Sequence, residues 1–332
     1  LTVMTTTFMP CGAKLPIIGL IAGAIFGGSP WIAVSAYFIG IASVALSGII
    51  LKKLKAFAGE PAPFVMELPA YHITSIKNIL RAAWERGWSF IKRAGSVILI
   101  SSIIIWFFKS YGFVNGRFGN VETLFENKNV ATQEYKKELA DKRAVSMKDV
   151  NPMDASLLAS IGDTVSPIFK PLGFGNWKAT VATVTGLVAK EEVVGTFGIL
   201  YNYDDKDGDL EENGDQIWGR VAKDYTAASG MAFMVFNLLC APCFAAIGAI
   251  KREMNNAKWT WAAISWMTVW AYVLGVITYN LGALITGELS FGIGTVVSLV
   301  LTAGIIYLLV RKGYKAEDAP KTLSSVEAAG TK

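Results

Sequence analysis

Chemistry in this sequence is confined to a few residues, and most of them sit where the chain would otherwise be a plain apolar helix. Cys11 lies in Met9-Pro10-Cys11-Gly12-Ala13-Lys14-Leu15-Pro16, and Cys240 and Cys243 bracket Ala241-Pro242. Lys190, Glu191 and Glu192 interrupt the apolar stretch Trp177–Leu200, while Met66 and Glu67 fall between Pro63 and Pro69. Pro10 and Pro242 have no backbone N–H, so each breaks a helix and frees carbonyl oxygens beside a cysteine. Carbonyls, thiols, a thioether and a few carboxylates form a donor set of intermediate softness. It suits Fe2+ better than Ca2+ or Mg2+, which want oxygen alone. Cys11, Cys240, Cys243, Met66, Glu67, Glu191 and Glu192 are therefore candidates for lining a metal path, and Lys190, Pro10 and Pro242 for coupling or structural support. With one histidine and no His/Asp/Glu cluster, any such site holds an ion loosely, as conduction requires.

Each feature also has a plainer reading. Met9–Pro16 fits a loop before a helix, and Pro61–His72 a rigid linker. Lys190 and Glu191 can neutralise each other or meet partners on other helices, and either Cys240 or Cys243 can be an inert buried thiol. The Cys-x-x-Cys spacing also suits a redox pair or half a zinc site, but no second pair exists. Asp205-Lys206-Asp207-Gly208 superficially resembles a calcium loop. Placing Gly208 at the invariant glycine puts Tyr203 and Gly214 at ligand positions, which rejects it. No phosphate-binding loop, nucleophile elbow or His-Glu-x-x-His is present, so neither an enzyme nor a resident cofactor is expected.

The elements that must position these residues read as membrane helices. Charged residues make up 17% of the chain against 53% hydrophobic, and the apolar residues are blocked into long runs. Val34–Leu51, Ala94–Phe108, Met231–Ile250, Trp259–Ile285 and Phe291–Val310 each approach the roughly 20 residues that cross a hydrocarbon core. Several of the ten tryptophans, Trp31, Trp106, Trp177, Trp259 and Trp261, stand at the ends of such runs, as at a lipid–water interface. The fold class is all-α, a polytopic membrane helix bundle with broken or re-entrant gate helices. The net charge of +5 comes from no basic, aromatic-interleaved soluble segment, so nucleic acid is not an expected partner.

Clustered lysines and arginines give one consistent path by the positive-inside rule. Residues 1–51 hold the first transmembrane segments and the Met-Pro-Cys-Gly motif. Residues 52–93 stay cytoplasmic, with Ile76–Lys92 as an interfacial amphipathic helix. Residues 94–152 comprise a transmembrane helix and an external loop, helical around Gln133–Lys142. Residues 153–256 form a gate region, with Met153–Phe169 and Trp177–Leu200 as crossing segments and an acidic outer loop at Asp204–Asp215. Residues 257–312 form a C-terminal transmembrane hairpin, and 313–332 a disordered tail. The chain opens at Leu1 inside a motif-like stretch, which suggests a piece of something longer.

The stretches Met9–Pro16, Pro63–Pro69 and Ala189-Lys190-Glu191-Glu192-Val193-Val194-Gly195-Thr196, with Cys240–Glu253, closely resemble the membrane portion of the ferrous iron transport protein B family of the bacterial Feo system. The resemblance runs to about Lys312. It implies Fe2+ transport through a multi-pass protein of the bacterial cytoplasmic membrane, driven by a G-protein domain that binds GTP. That domain and a first gate are not in this sequence, and the second gate matches Trp177–Glu253. The family's cysteines carry over onto Cys11 and onto Cys240 or Cys243. Implied partners are Fe2+, membrane lipid, the G domain and first gate half, a small Feo-system accessory protein and a second copy of the chain in a homo-oligomer. A carrier of another solute, of the nucleoside type its gates also resemble, and a non-transporting membrane scaffold are the alternatives.

Overall fold

The computed structural model describes residues 1–54, 57, 75–114, 116–126, 130–143, 150, 152–201 and 215–313. Met66 and Glu67, nearly all of the acidic loop and the tail lie outside them. Helices α1 (Thr2–Thr6), α2 (Leu15–Phe26) and α3 (Pro30–Lys52) open the chain. Helix α4 spans Ile76–Ser110, a hairpin pairs β1 (Tyr111–Val114) with β2 (Arg117–Asn120), and α5 (Val121–Glu126) and α6 (Val130–Arg143) follow. Then come α7 (Leu157–Val165), α8 (Trp177–Val188), α9 (Glu192–Leu200), α10 (Asp215–Asp224), α11 (Ala227–Leu239) and α12 (Phe244–Met254). Helices α13 (Ala257–Ile285) and α14 (Ile293–Val310) close it.

The helix boundaries follow from short polar caps. Ser156, Asn176 and Asn256 each accept a backbone N–H at the starts of α7, α8 and α13, and Thr226 forms a reciprocal capping box with Ser229. Such a cap is worth about 1 kcal/mol in water. In lipid it also removes donors that nothing else could satisfy.

Helix α11 is the centre. Phe233 and Met234 are fully enclosed, and it packs most extensively on α13, with α2 and α3 also against it. Gly230 lets the side chain of Ile25 on α2 lie against the α11 backbone, and Gly275 on α13 does the same for Leu172. Close backbone approach at small residues is how helices associate in lipid, where burying apolar surface gains little. Polar ties lock the seams. Trp266 Nε1 donates to Ser47 Oγ at 2.7 Å, joining α13 to α3, and Lys53 Nζ reaches Leu309 O on α14.

The outward face is apolar. Ile293 is 86% exposed and Trp31 77%, exposures that are costly in water and natural against lipid. Among the described residues four helical stretches are long and apolar enough to cross a membrane: Pro30–Lys52, Ala227–Met254, Ala257–Ile285 and Ile293–Val310. The chain is a membrane protein with an all-α bundle.

Three features depart from the sequence reading. The boundary expected after residue 93 is absent, because α4 runs unbroken for 35 residues from its amphipathic half into its apolar half. Met153–Phe169 is not one segment. Helix α7 has nine residues and yields to a 3₁₀ turn, Ser166–Leu172, in which Pro167 and Pro171 prevent continuation. The segment after α4, expected to be an external loop, carries a small antiparallel hairpin, which its Asn115-Gly116 pair signals. With α5 and α6 it encloses a second core of Val114, Val121, Phe125, Leu139 and Ala155.

Candidate functional site

Three interruptions of helix meet beside α11. The first lies between α1 and α2, where Pro10 and Gly12 leave Cys11 extended (φ −96°, ψ 167°) before a 3₁₀ turn at Gly12–Lys14. The second separates α8 from α9, where Ala189 turns extended (φ −148°, ψ 131°). Cys240-Ala241-Pro242-Cys243 makes the third, with both cysteines extended. Had α11 continued, the N–H of residue 242 would have bonded the carbonyl of Leu238. Proline has no N–H to give. That oxygen receives Lys14 Nζ instead, at 2.6 Å, and the same ammonium donates to Thr7 O at 3.2 Å near the end of α1.

Lys14 is only 2% exposed and Lys190 1%. Lys190 Nζ donates to Cys240 Sγ at 3.1 Å, and that thiol lies 3.7 Å from the carbonyls of Asn237 and Ala241, the first of them freed by the same break. Lys14 lies within electrostatic range of Lys190 and of all three cysteines. Across the second break the hydroxyls of Thr185 and Thr196 bond at 3.0 Å, tying α8 to α9. Gly186 faces Val193, Lys190 and Asn237 and has no room for a side chain.

The expected residues are thus sorted. Cys240, Lys190 and Pro242 come together in the buried centre. Cys243 is half-buried, Cys11 is exposed, and Pro10 packs against Gly40 of α3. Glu191 is half-buried and Glu192 exposed. Of the two partners expected for Lys190, the one on another helix is found: the Cys240 thiol rather than Glu191. Among the described residues no three His, Cys, Asp or Glu side chains gather to hold a metal. Freed carbonyls, a thiol and two ammonium groups make up the centre instead.

Two contributors were missed. Lys14 has no role in the sequence reading, although a lysine between a proline break and an apolar helix is a charge at the edge of the membrane and so a functional pointer. Asn237, fully buried on the last turn of α11, carried no role. An amide amid Phe, Leu and Val at membrane depth is the signal that could have found it.

Residues 33–86 match the family model of the ferrous iron transport protein B C terminus, and residues 91–257 match a gate family described as nucleoside recognition. The Fe(2+) transporter FeoB of Methanocaldococcus jannaschii is 32% identical over 288 residues, covering 86% of this chain and 37% of the relative. That of Helicobacter pylori is 32% identical over 283 residues, covering 84% and 43%, and that of Escherichia coli K12 is 29% identical over 382 residues, covering 100% and 45%. The chain spans less than half the length of these relatives. No solved structure matches it. Two adjoining family models in order, with relatives matched along most of the chain, leave one assignment: the chain belongs to the ferrous iron transport protein B family, as its C-terminal membrane portion.

Proposed function

We propose that this chain is the membrane path of a ferrous iron uptake system, passing Fe2+ across the bacterial cytoplasmic membrane. The observation that carries the reading is the meeting of three helix interruptions at a buried thiol inside an apolar bundle. Irregular backbone at membrane depth persists only within protein or along a hydrated route. A thiol with freed carbonyls suits a borderline cation. In this reading Fe2+ is the substrate, Cys240 and Cys243 meet it at the centre, and Cys11 meets it at a more open position. Met66, Glu67, Glu191 and Glu192 line the approaches, with Pro10, Pro242 and Lys190 maintaining the breaks. GTP binding and hydrolysis reside in a separate G domain, so the membrane chain performs no catalysis. A small accessory protein, a further gate half and a second copy of the chain are the partners this reading assigns.

Uptake of radiolabelled Fe2+ under reducing conditions by the full-length protein in proteoliposomes tests it. Cys240→Ser should cut iron entry at least about tenfold and Cys11→Ser less; undiminished entry in both removes the cysteine roles. The nucleoside-recognition description of the gate model favours a second reading, a carrier of an organic solute. Nucleoside entry without iron entry would select it.

A further inference from the structure

Helices α8 and α9 fold back on each other. As one straight crossing helix, Trp177–Leu200 would hold Lys178 and Tyr201 about 35 Å apart, on opposite sides of the membrane. In the structure the Lys178 ammonium lies 4.3 Å from the centre of the Tyr201 ring. Further along, the Thr185 and Thr196 hydroxyls meet at 3.0 Å and Gly186 faces Val193. The three pairs fall in antiparallel order and close on the extended Ala189 and on Lys190 after it. The segment expected to cross is therefore a hairpin of two short legs with Lys190 at its tip.

The hairpin is tied to α11 at both ends. At the tip, Lys190 meets Cys240 just after α11. At the mouth, Tyr201 Oη donates to Asp224 Oδ2, Lys178 Nζ stands 3.8 Å from the same oxygen, and Arg220 Nη1 donates to Tyr201 O. Asp224 and Arg220 belong to α10, which leads directly into α11. Helix α13 runs antiparallel to α11, with Gly275 near Phe236 and Gly282 near Ala228, so its start lies at the end away from the mouth. There Trp259 packs on Phe57 beside Lys258, and Lys53 reaches Leu309 beside Arg311 and Lys312. Clustered lysines and arginines mark that face as cytoplasmic, so the mouth opens outward.

Little else holds the α9 leg. It packs chiefly on α8 and less on α2, and Phe197 meets Tyr225 and Phe233 edge-on. We propose that Asp224 is a positioning residue at the outer mouth: by clasping Tyr201 and Lys178 it keeps the re-entrant hairpin seated, and so holds Lys190 on Cys240. A carboxylate facing a phenol and an ammonium makes a charge-assisted tie, and its release frees both legs to carry the tip away from the thiol. The clasp stands on geometry; its part in ion passage rests on the iron-path reading.

The full-length protein in lipid nanodiscs provides the test. Thr185→Cys combined with Thr196→Cys should form a disulfide with a membrane-permeant oxidant, identified by mass spectrometry; a straight crossing keeps those positions about 17 Å apart and forbids it. Failure to form it overturns the hairpin. Asp224→Leu should then speed amide hydrogen exchange at least about tenfold both at residues 198–201 and at the tip, residues 190–194, while α13 exchanges as in the parent. Asp224→Glu should stay near the parent, and Tyr201→Phe, which deletes only the hydroxyl, should show the Asp224→Leu pattern more weakly. A carboxylate serving local structure alone would loosen the mouth and leave the tip unchanged. Acceleration confined to the mouth, or spread evenly into α13, overturns the clasp. Should mouth and tip move together in a protein that passes no Fe2+, the transport reading falls and the clasp stands. Should Fe2+ enter while the tip ignores Asp224→Leu, the clasp alone falls.

Discussion

Lys14 and Pro242 are linked through a single oxygen, and the link is measurable. Leu238 O lacks the helix donor that residue 242 would have provided and takes the Lys14 ammonium at 2.6 Å in its place. Lys14→Met preserves the side chain's reach and deletes its charge, which sets two effects against each other. A buried carbonyl loses its partner, costing about 1–3 kcal/mol. The bundle is also relieved of a buried ammonium, a burden of about 2.5–3.5 kcal/mol on insertion scales. These oppose each other, so the single substitution should fall between about 0.5 kcal/mol of loss and about 2.5 kcal/mol of gain, and decides little. Pro242→Ala changes the account by giving Leu238 O a backbone donor. In that background Lys14→Met no longer orphans Leu238 O, while the loss of the bond to Thr7 O is the same in both backgrounds and drops out of the comparison. The cycle should therefore show Lys14→Met more favourable by about 1–3 kcal/mol in Pro242→Ala than in the parent. Unfolding in mixed micelles under increasing dodecyl sulfate, followed by tryptophan fluorescence, gives the four stabilities. If the two substitutions add to within about 0.5 kcal/mol, the claim that Lys14 stands in for the missing N–H is refuted.

The other expectations are briefer. Single-cysteine variants treated with a membrane-permeant maleimide should react in the order Cys11, Cys243, Cys240, since Cys240 is 3% exposed and held by Lys190; equal rates by mass spectrometry would contradict the burial. Gly186→Ala sets a methyl 2.5 Å from Val193 Cγ2 and should destabilise by about 1–3 kcal/mol, with Val193→Ala recovering most of the loss in thermal unfolding. Ser47→Ala deprives the Trp266 N–H of its acceptor where lipid offers no replacement, and the same measurement should show a loss of about 1–3 kcal/mol.

The sequence carries the architecture because lipid writes it plainly. Runs such as Trp259–Ile285 and Phe291–Val310 appear as α13 and α14 with ends displaced by only a few residues, and the break at Cys240–Cys243 falls where Pro242 demands it. The break before Glu192 was signalled by charge alone, without proline. Harder to read was whatever depends on partners far along the chain. The bond from Lys14 to Leu238 spans 224 positions, and no local pattern announces it. The same holds for Lys190, whose adjacent Glu191 looks like its natural mate until folding sets Cys240 at 3.1 Å. Short segments such as α7 and the 3₁₀ turn after it were blurred because their apolar content suits a span while their prolines suit a turn.

How an apolar bundle keeps two enclosed lysines together is answered by its backbone. Helices α8 and α11 both end at this place, and a helix C-terminus carries about half a negative charge on its unsatisfied carbonyls. The Lys14 ammonium, reaching over from the start of α2, bonds Leu238 O in the last turn of α11, and Lys190, two residues beyond α8, reaches the thiol that follows α11. The negative potential that favours cations here thus comes from helix ends rather than carboxylates, which accounts for a centre without a three-carboxylate or three-thiol cage among the described residues. On the proposed iron path it would also set the terms of passage. A divalent ion entering while both ammonium groups remain would face two like charges at close range in a medium that screens poorly. Ion and lysines would compete for the same dipoles, so on that path one ammonium is expected to withdraw first. Control is therefore expected at Lys14 and Lys190 more than at the nearby acids. Glu191→Gln and Glu192→Gln should each change Fe2+ flux by less than about tenfold, about 1.4 kcal/mol of barrier, while Lys190→Met should alter it by more. A glutamate variant that abolished flux while Lys190→Met left it intact would move the control point to the carboxylates.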